Sequence, residues 1–174
     1  DMQGNVVHTW QTEGCGLSQL LPDGDLFYGR NSHGVYRQDW PGERKWSYLC
    51  DYHHDFDVSQ GDRVMILAGH HARFLDHPEI FSGCADGMSL ISNCFIEAEL
   101  ETSRVTWMWW AHEHLDEIAA AGVDFPRPVD ERSKYRTGDI FHCNTVEVLP
   151  DTELGRRDGR FRAGNVMFSY RQVD

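Results

Sequence analysis

Leu21-Pro22-Asp23-Gly24-Asp25-Leu26-Phe27 is the stretch whose reading decides the fold. Apolar residues flank a Pro-Asp-Gly-Asp centre, and the glycine supplies the positive φ that a tight hairpin turn demands. Val58-Ser59-Gln60-Gly61-Asp62-Arg63-Val64 resembles it. So does Leu149-Pro150-Asp151, resumed after an insertion by Gly164-Asn165-Val166-Met167-Phe168. The unit is a strand, a Gly-Asp or Gly-Asn turn, and a second strand.

Working outward, a second element recurs: a glycine or polar residue, then valine, then tryptophan. It occurs in Gly4-Asn5-Val6-Val7-His8-Thr9-Trp10, in Gly34-Val35 leading to Trp40 and Trp46, and in Arg104-Val105-Thr106-Trp107. Together the two elements make about four strands per unit, with Gly24 and Gly61 37 positions apart, and that is the propeller signature. A β-sandwich predicts no such repetition. Short apolar runs support strands at Asn5 to Trp10, Leu17 to Leu21, Leu26 to Tyr28, Val64 to Ala68, Leu90 to Leu100, Val105 to Trp110, Val146 to Leu149 and Val166 to Tyr170. Only Glu113 to Ala121 reads as helical, with Leu115, Ile118 and Ala119 on one face. The expected fold is all-β: a β-propeller of four-stranded blades, about four of them within residues 1–174, with a helical and loop insertion near 113–138 carrying Pro126 and Pro128.

The 174 residues, 40% hydrophobic and 12% aromatic, suffice for one substantial core. Sixteen basic against 28 acidic residues give a formal charge of −12, which disfavours nucleic acid and anionic membrane surfaces as partners. An anionic substrate must therefore meet local positive charge. No apolar run approaches the ~18 residues of a membrane span, and no signal segment is legible. The chain opens at Asp1 and closes directly after an apolar run, so both ends read as cut and an incomplete propeller is expected. The five cysteines are odd in number and lack CxxC spacing, which argues for buried free thiols, with Cys84–Cys94 the sequence-local disulfide candidate.

Three histidine clusters sit at strand boundaries: Tyr52-His53-His54-Asp55-Phe56-Asp57, His112-Glu113-His114-Leu115-Asp116 and Phe141-His142-Cys143-Asn144-Thr145. Strand ends nearest a propeller axis converge on a central funnel, so residues distant in sequence can meet there. Arg171 closes the strand-like run Gly164 to Tyr170. Its guanidinium can hold a sulfate or carboxylate through two parallel hydrogen bonds. Each residue also has a plain structural role: a histidine bonding a neighbouring turn, an arginine snorkelling to the surface.

The succession His53-His54-Asp55-Phe56, His114-Leu115-Asp116, Asp139-Ile140-Phe141-His142-Cys143-Asn144-Thr145-Val146 and Gly164-Asn165-Val166-Met167-Phe168-Ser169-Tyr170-Arg171 resembles the arylsulfotransferase family. The resemblance extends to Gly4 to Trp10 and Leu20 to Leu26, and so over nearly the whole chain. It implies a six-bladed propeller that moves a sulfuryl group from a phenolic sulfate ester to a phenol acceptor through a sulfated histidine, without metal or cofactor. His142 and Asn144 then match the His-x-Asn pair at the sulfuryl group, Arg171 the arginine that holds it, and His54, or His53 one register away, the histidine of an earlier blade. His54, His142 and Arg171 are the implied catalytic residues, and His53, His114 and Asn144 the implied substrate-binding ones. A periplasmic or exported location follows from the resemblance alone. The insertion from Thr152 to Ala163 and the large Tyr170 depart from the family pattern. The family's nucleophilic histidine lies in a Gln-His motif one blade further on, which this chain lacks, so the chain alone is expected to be inactive.

The residue types suit the chemistry. Sulfuryl transfer passes through a planar SO3-like arrangement with negative charge on its outer oxygens, analogous to phosphoryl transfer. Fixed donors around those oxygens stabilise it. An additional imidazole can protonate a departing phenolate, whose conjugate acid has a pKa of about 10. Two other readings share these residues. His53 or His54, His114 and His142 with Asp55 could compose a metal-dependent hydrolase site, although no HExxH spacing appears. A non-catalytic propeller binding module would need none of them. Trp107, Trp109 and Trp110 could line a phenol pocket or simply pack between blades.

Overall fold

In the computed structural model, residues 1–58, 62–73, 89–123, 137–138 and 141–171 are described. They form three sheets, antiparallel except for one short parallel pairing. The first runs in the order β1 (Ser18–Leu20), β2 (Leu26–Arg30), β3 (Gly34–Gln38), β4 (Arg44–Tyr48). The second runs β5 (Tyr52–Asp57), β6 (Arg63–Arg73), β7 (Ser89–Glu99), β8 (Val105–Trp110), with the short β9 (Thr137–Gly138) pairing parallel to β7. The third is the hairpin β10 (Cys143–Val148) and β11 (Val166–Tyr170). The chain is all-β, as expected, and its first two sheets are up-and-down meanders in sequence order.

Each sheet opens with the hairpin that the sequence repeats. Leu21 N–H donates to the Asp25 carbonyl and Leu149 N–H to that of Asn165, both at 2.8 Å. Gly24 N–H returns to the Leu21 carbonyl at 3.0 Å and Gly164 N–H to that of Leu149 at 2.9 Å. Gly24 and Gly164 take φ of 90° and 85°, where a side chain would be strained. The two turns close identically although one carries an insertion. That insertion folds as α2 (Glu153–Arg157), capped by Thr152 Oγ1 accepting from Gly155 N–H at 3.0 Å, and a 3₁₀ turn at Gly159–Phe161. Gly61, in the corresponding turn of the second sheet, lies outside the described residues.

The run Val64-Met65-Ile66-Leu67-Ala68 is buried throughout, as a strand covered on both faces must be. Val64, Ile66 and Ala68, with Cys94, Ile96 and Ala98 of β7, face the first sheet and pack on Phe27, Val35 and Trp46. Met65, Leu67 and Phe95 face the other way, onto Cys143, Val146 and Val148 of the third sheet. The second sheet is thus a wall shared by two cores.

Several expectations change. Asn5 to Trp10 joins no sheet; Val6 and Val7 stay 80% and 70% exposed, while His8 stacks on Trp40 at 4.0 Å between ring centroids. The expected helix from Glu113 to Ala121 becomes a 3₁₀ turn at Ala111–His114 followed by α1 (Leu115–Ala120), with only Leu115 of its apolar face fully buried. Cys94 and Cys143 are buried free thiols and Cys50 is partly buried, but Cys15 is exposed. Cys94 is therefore not in a disulfide, and Cys84 lies outside the described residues, as do Pro126 and Pro128. Among the described residues no helix is long and apolar enough to cross a membrane.

Candidate functional site

Tyr52, the first residue of β5, is 1% exposed, and its ring lies over Gly29 so closely that a Cβ there would overlap it. Ser32 N–H donates to the Tyr52 carbonyl at 2.9 Å, and the Tyr52 hydroxyl donates to the His54 carbonyl at 2.8 Å. Between Tyr52 and Phe56 the β5–β6 register shifts, and His54 takes φ of 68°. Irregularities of this kind re-aim side chains at a strand end. His53 and His54 are thereby turned out of the regular alternation.

His142 reaches the same place from the third sheet. It precedes β10, takes φ of 46°, and is followed by a register shift between Cys143 and Thr145. Such left-handed backbone costs a non-glycine residue of order 1–3 kcal/mol and persists only where surrounding contacts over-determine it. Those contacts are visible. Arg171 N–H donates to the Phe141 and His142 carbonyls at 3.1 and 3.2 Å, and Cys143 N–H donates to Asn93 Oδ1 at 3.2 Å. The result is three imidazoles together: ring centroids lie 4.1 Å apart for His53 and His54, 5.9 Å for His54 and His142, and 6.1 Å for His53 and His142.

Two aspartates lock this arrangement. Asp55 Oδ2 accepts from Val146 N–H at 2.9 Å and Asp57 Oδ2 from Val148 N–H at 2.7 Å, while Asp55 Oδ1 accepts from Phe56 N–H at 2.9 Å. β10 is thus tied alongside β5 by carboxylates rather than by a backbone ladder. Burial raises the Asp55 carboxyl above the ordinary aspartate value, outweighing the lowering by its backbone donors.

The other expected residues divide. The Arg171 backbone is part of the cluster; its side chain is exposed, and no carboxylate among the described residues pairs with it. Asn144 sits partly buried in the irregular step of β10, next to His142. His114 stands apart, stacked on Trp109 at 4.6 Å with its Nδ1 3.2 Å from Glu117 Oε2. Among the described residues no three histidine, cysteine or acidic side chains are arranged to hold a metal ion. Trp107 and Trp109 share a face and line a groove of about 530 Å3 with Met65, Glu97, Val166 and Phe168. That groove lies toward the Gly164 end of the β10–β11 hairpin, opposite His142, and Trp110 packs into the other core.

Gly29 and Asn93 were not singled out from the sequence, and Tyr52 and Asp57 only as flanks of the first histidine cluster, although all four position it. The alternation Asp55-Phe56-Asp57 was the available signal, two carboxylates on one side of a strand whose apolar neighbour is core. No family model, curated protein or solved structure matches the chain.

Proposed function

We propose that the three sheets are successive blades of an arylsulfotransferase-like β-propeller, and that His53, His54 and His142 hold the sulfuryl group of a phenolic sulfate ester during its transfer to a phenol. The observation that supports this reading is the meeting of three imidazoles from two sheets, with ring centroids 4.1 to 6.1 Å apart, in a chain whose net charge of −12 would otherwise repel an anion. Arg171, tied through its backbone to His142, supplies a guanidinium at the rim, and Asn144 an amide. His114 has no part in it.

In the proposed reaction the S–O bond to the donor phenol breaks as an S–N bond to a histidine forms, and an imidazolium proton passes to the departing phenolate. The acceptor phenol oxygen then takes the sulfuryl group, the S–N bond breaks, and the phenolic proton returns to an imidazole. The family's Gln-His motif is absent from this sequence, so the nucleophile is not assigned to any of its ten histidines. The three here act as oxyanion donors and proton carriers.

The test is a titration of the chain with p-nitrophenyl sulfate, with and without EDTA, followed through histidine side-chain resonances. Shifts confined to His53, His54 and His142, insensitive to EDTA and abolished in His142→Ala and Arg171→Ala, support the sulfuryl site. Absence of binding, with stoichiometric metal retained, overturns it in favour of metal chemistry.

A further inference from the structure

The proposed reaction hands a proton to the departing phenolate in its first step, so an imidazole of the cluster must carry that proton beforehand. A neutral imidazole offers one N–H and one lone pair, whereas an imidazolium donates from both nitrogens. The change between them falls within about pH 5 to 8. The charged groups described around the rings are Asp51, Asp55, Asp57, Glu147 and Arg171. Asp55, next to His54, accepts backbone N–H groups at both oxygens, from Phe56 and Val146 at 2.9 Å each, and feels the like charges of Asp57 and Glu147. Asp57 accepts from Val148 N–H at 2.7 Å, and the Asp51 carboxylate lies over Gly69. Arg171 stands beside His142, whose carbonyl its N–H meets at 3.2 Å.

The three rings come from two sheets, with centroids 4.1 to 6.1 Å apart. Charging more than one of them sets like charges at that separation, and each opposes the other. The backbone beneath is fixed. His54 and His142 hold φ of 68° and 46°, and their carbonyls are bound by the Tyr52 hydroxyl at 2.8 Å and by Arg171 N–H at 3.2 Å. A sulfate ester among the rings changes this balance. Its oxygens accept from both nitrogens of an imidazolium but from only one of a neutral ring, and its negative charge offsets the repulsion. Proton and ester therefore favour each other, and the coupling runs equally in both directions.

We propose that the His53/His54/His142 cluster takes up a proton from solvent as the sulfate ester binds, and that this is the proton the ester's own phenolate later carries away. The inference rests on the sulfuryl reading given above and adds the control of that site by pH. The proton balance closes: solvent supplies the proton on binding, the donor phenolate removes it, the acceptor phenol replaces it, and it returns to solvent when the product ester leaves. Acid thus strengthens the site and alkali releases the ester.

Isothermal titration calorimetry of the full chain with p-nitrophenyl sulfate tests this, between about pH 6 and 8.5, in paired buffers that differ in ionisation enthalpy and carry no sulfonate or phosphate. The dependence of the heat on the buffer counts the protons. The expected result is net uptake approaching one proton, with affinity falling by up to about tenfold for each unit rise in pH. In parallel, the ring Cε1–H resonances of His53, His54 or His142 are expected to move toward the imidazolium position as the ester is added at about pH 7.5. Binding without proton uptake overturns the inference and leaves the sulfuryl site standing. So does uptake with those resonances stationary, which would put the proton on Asp55 or a neighbouring carboxylate. Absence of both heat and histidine shifts at every pH overturns the inference and the sulfuryl reading together.

Discussion

Gly29 holds its place because Tyr52 occupies the space a side chain would need. Gly29→Ala must push the Tyr52 ring aside, and Tyr52 in turn fixes the His54 carbonyl. Overpacking of this kind costs about 1–3 kcal/mol, so chemical denaturation is expected to show a loss of that size, with the His53 and His54 resonances displaced as well. An unshifted histidine spectrum would mean that Tyr52 does not set the cluster. Asp25 makes a different prediction. Its side chain is 5% exposed and is held by Arg37 at 2.6 Å and Lys45 at 2.8 Å. Burial alone would raise its carboxyl, but the hydrogen bonds from Lys45 and Arg37 outweigh it and the net shift is downward. A carboxylate lowered in the folded state contributes stability above its unfolded value of about 4, lost as pH falls through the folded one. Asp25→Asn is therefore expected to cost about 1–3 kcal/mol at neutral pH, and the gap to wild type to close in acid. A gap independent of pH would show that the ion pairs carry no net weight.

The hairpins show what one element can be asked to do alone. The turn after β1 and the turn after β10 close through the same pair of backbone hydrogen bonds, so the segment between Asp151 and Gly164 is an appendage to a finished turn. Deleting residues 152–163 joins Leu149-Pro150-Asp151 to Gly164-Asn165, reproducing Leu21-Pro22-Asp23-Gly24-Asp25 with asparagine for aspartate. The shortened chain is expected to keep its stability to within about 1 kcal/mol, since loop length costs little entropy, and to keep the β10–β11 amide pattern. Loss of β11 protection would show that α2 braces the hairpin. This locality explains which parts of the fold were legible. Turn chemistry and short apolar runs are properties of neighbouring residues, and β1, β2, β6, β7, β8, β10 and β11 appear where they were read. Asn5 to Trp10 has the pattern of a strand, but a strand exists only with a partner, and none is supplied among the described residues. The helix after β8 shortened because the 3₁₀ turn at Ala111–His114 takes Glu113 and His114, which its pattern also claimed. Of the site, His53, His54 and His142 were legible through their positions at strand ends, and His114 was misplaced with them because the stacking on Trp109 that removes it is a tertiary fact.

At the scale of the molecule the histidine cluster depends on two sheets keeping a fixed relation, and that relation runs through β6 and β7. Ile66 and Leu67 are adjacent, each 0% exposed, and point into opposite cores. If the second sheet is a wall common to both cores, damage to one face must be felt on the other. Ile66→Ala and Leu67→Ala are each expected to cost about 2–5 kcal/mol, as buried aliphatic truncations do. The more telling measurement is where the loss appears. Leu67→Ala removes contacts only on the side of β10 and β11, yet β5 carries Phe56 into the first core and Asp55 and Asp57 to the β10 amides. Hydrogen exchange under native conditions, which resolves cooperative units by their opening free energy, is therefore expected to show faster exchange in β2 and β3 as well as in β10 and β11, by comparable factors. If only β10 and β11 respond, the third sheet opens on its own, and the three imidazoles are brought together by a docking equilibrium and not by the global fold. If the proposed sulfuryl site is correct, an aryl sulfate would then tighten the third sheet selectively, and exchange with and without the ester would show slowing confined to β10, β11 and the start of β5.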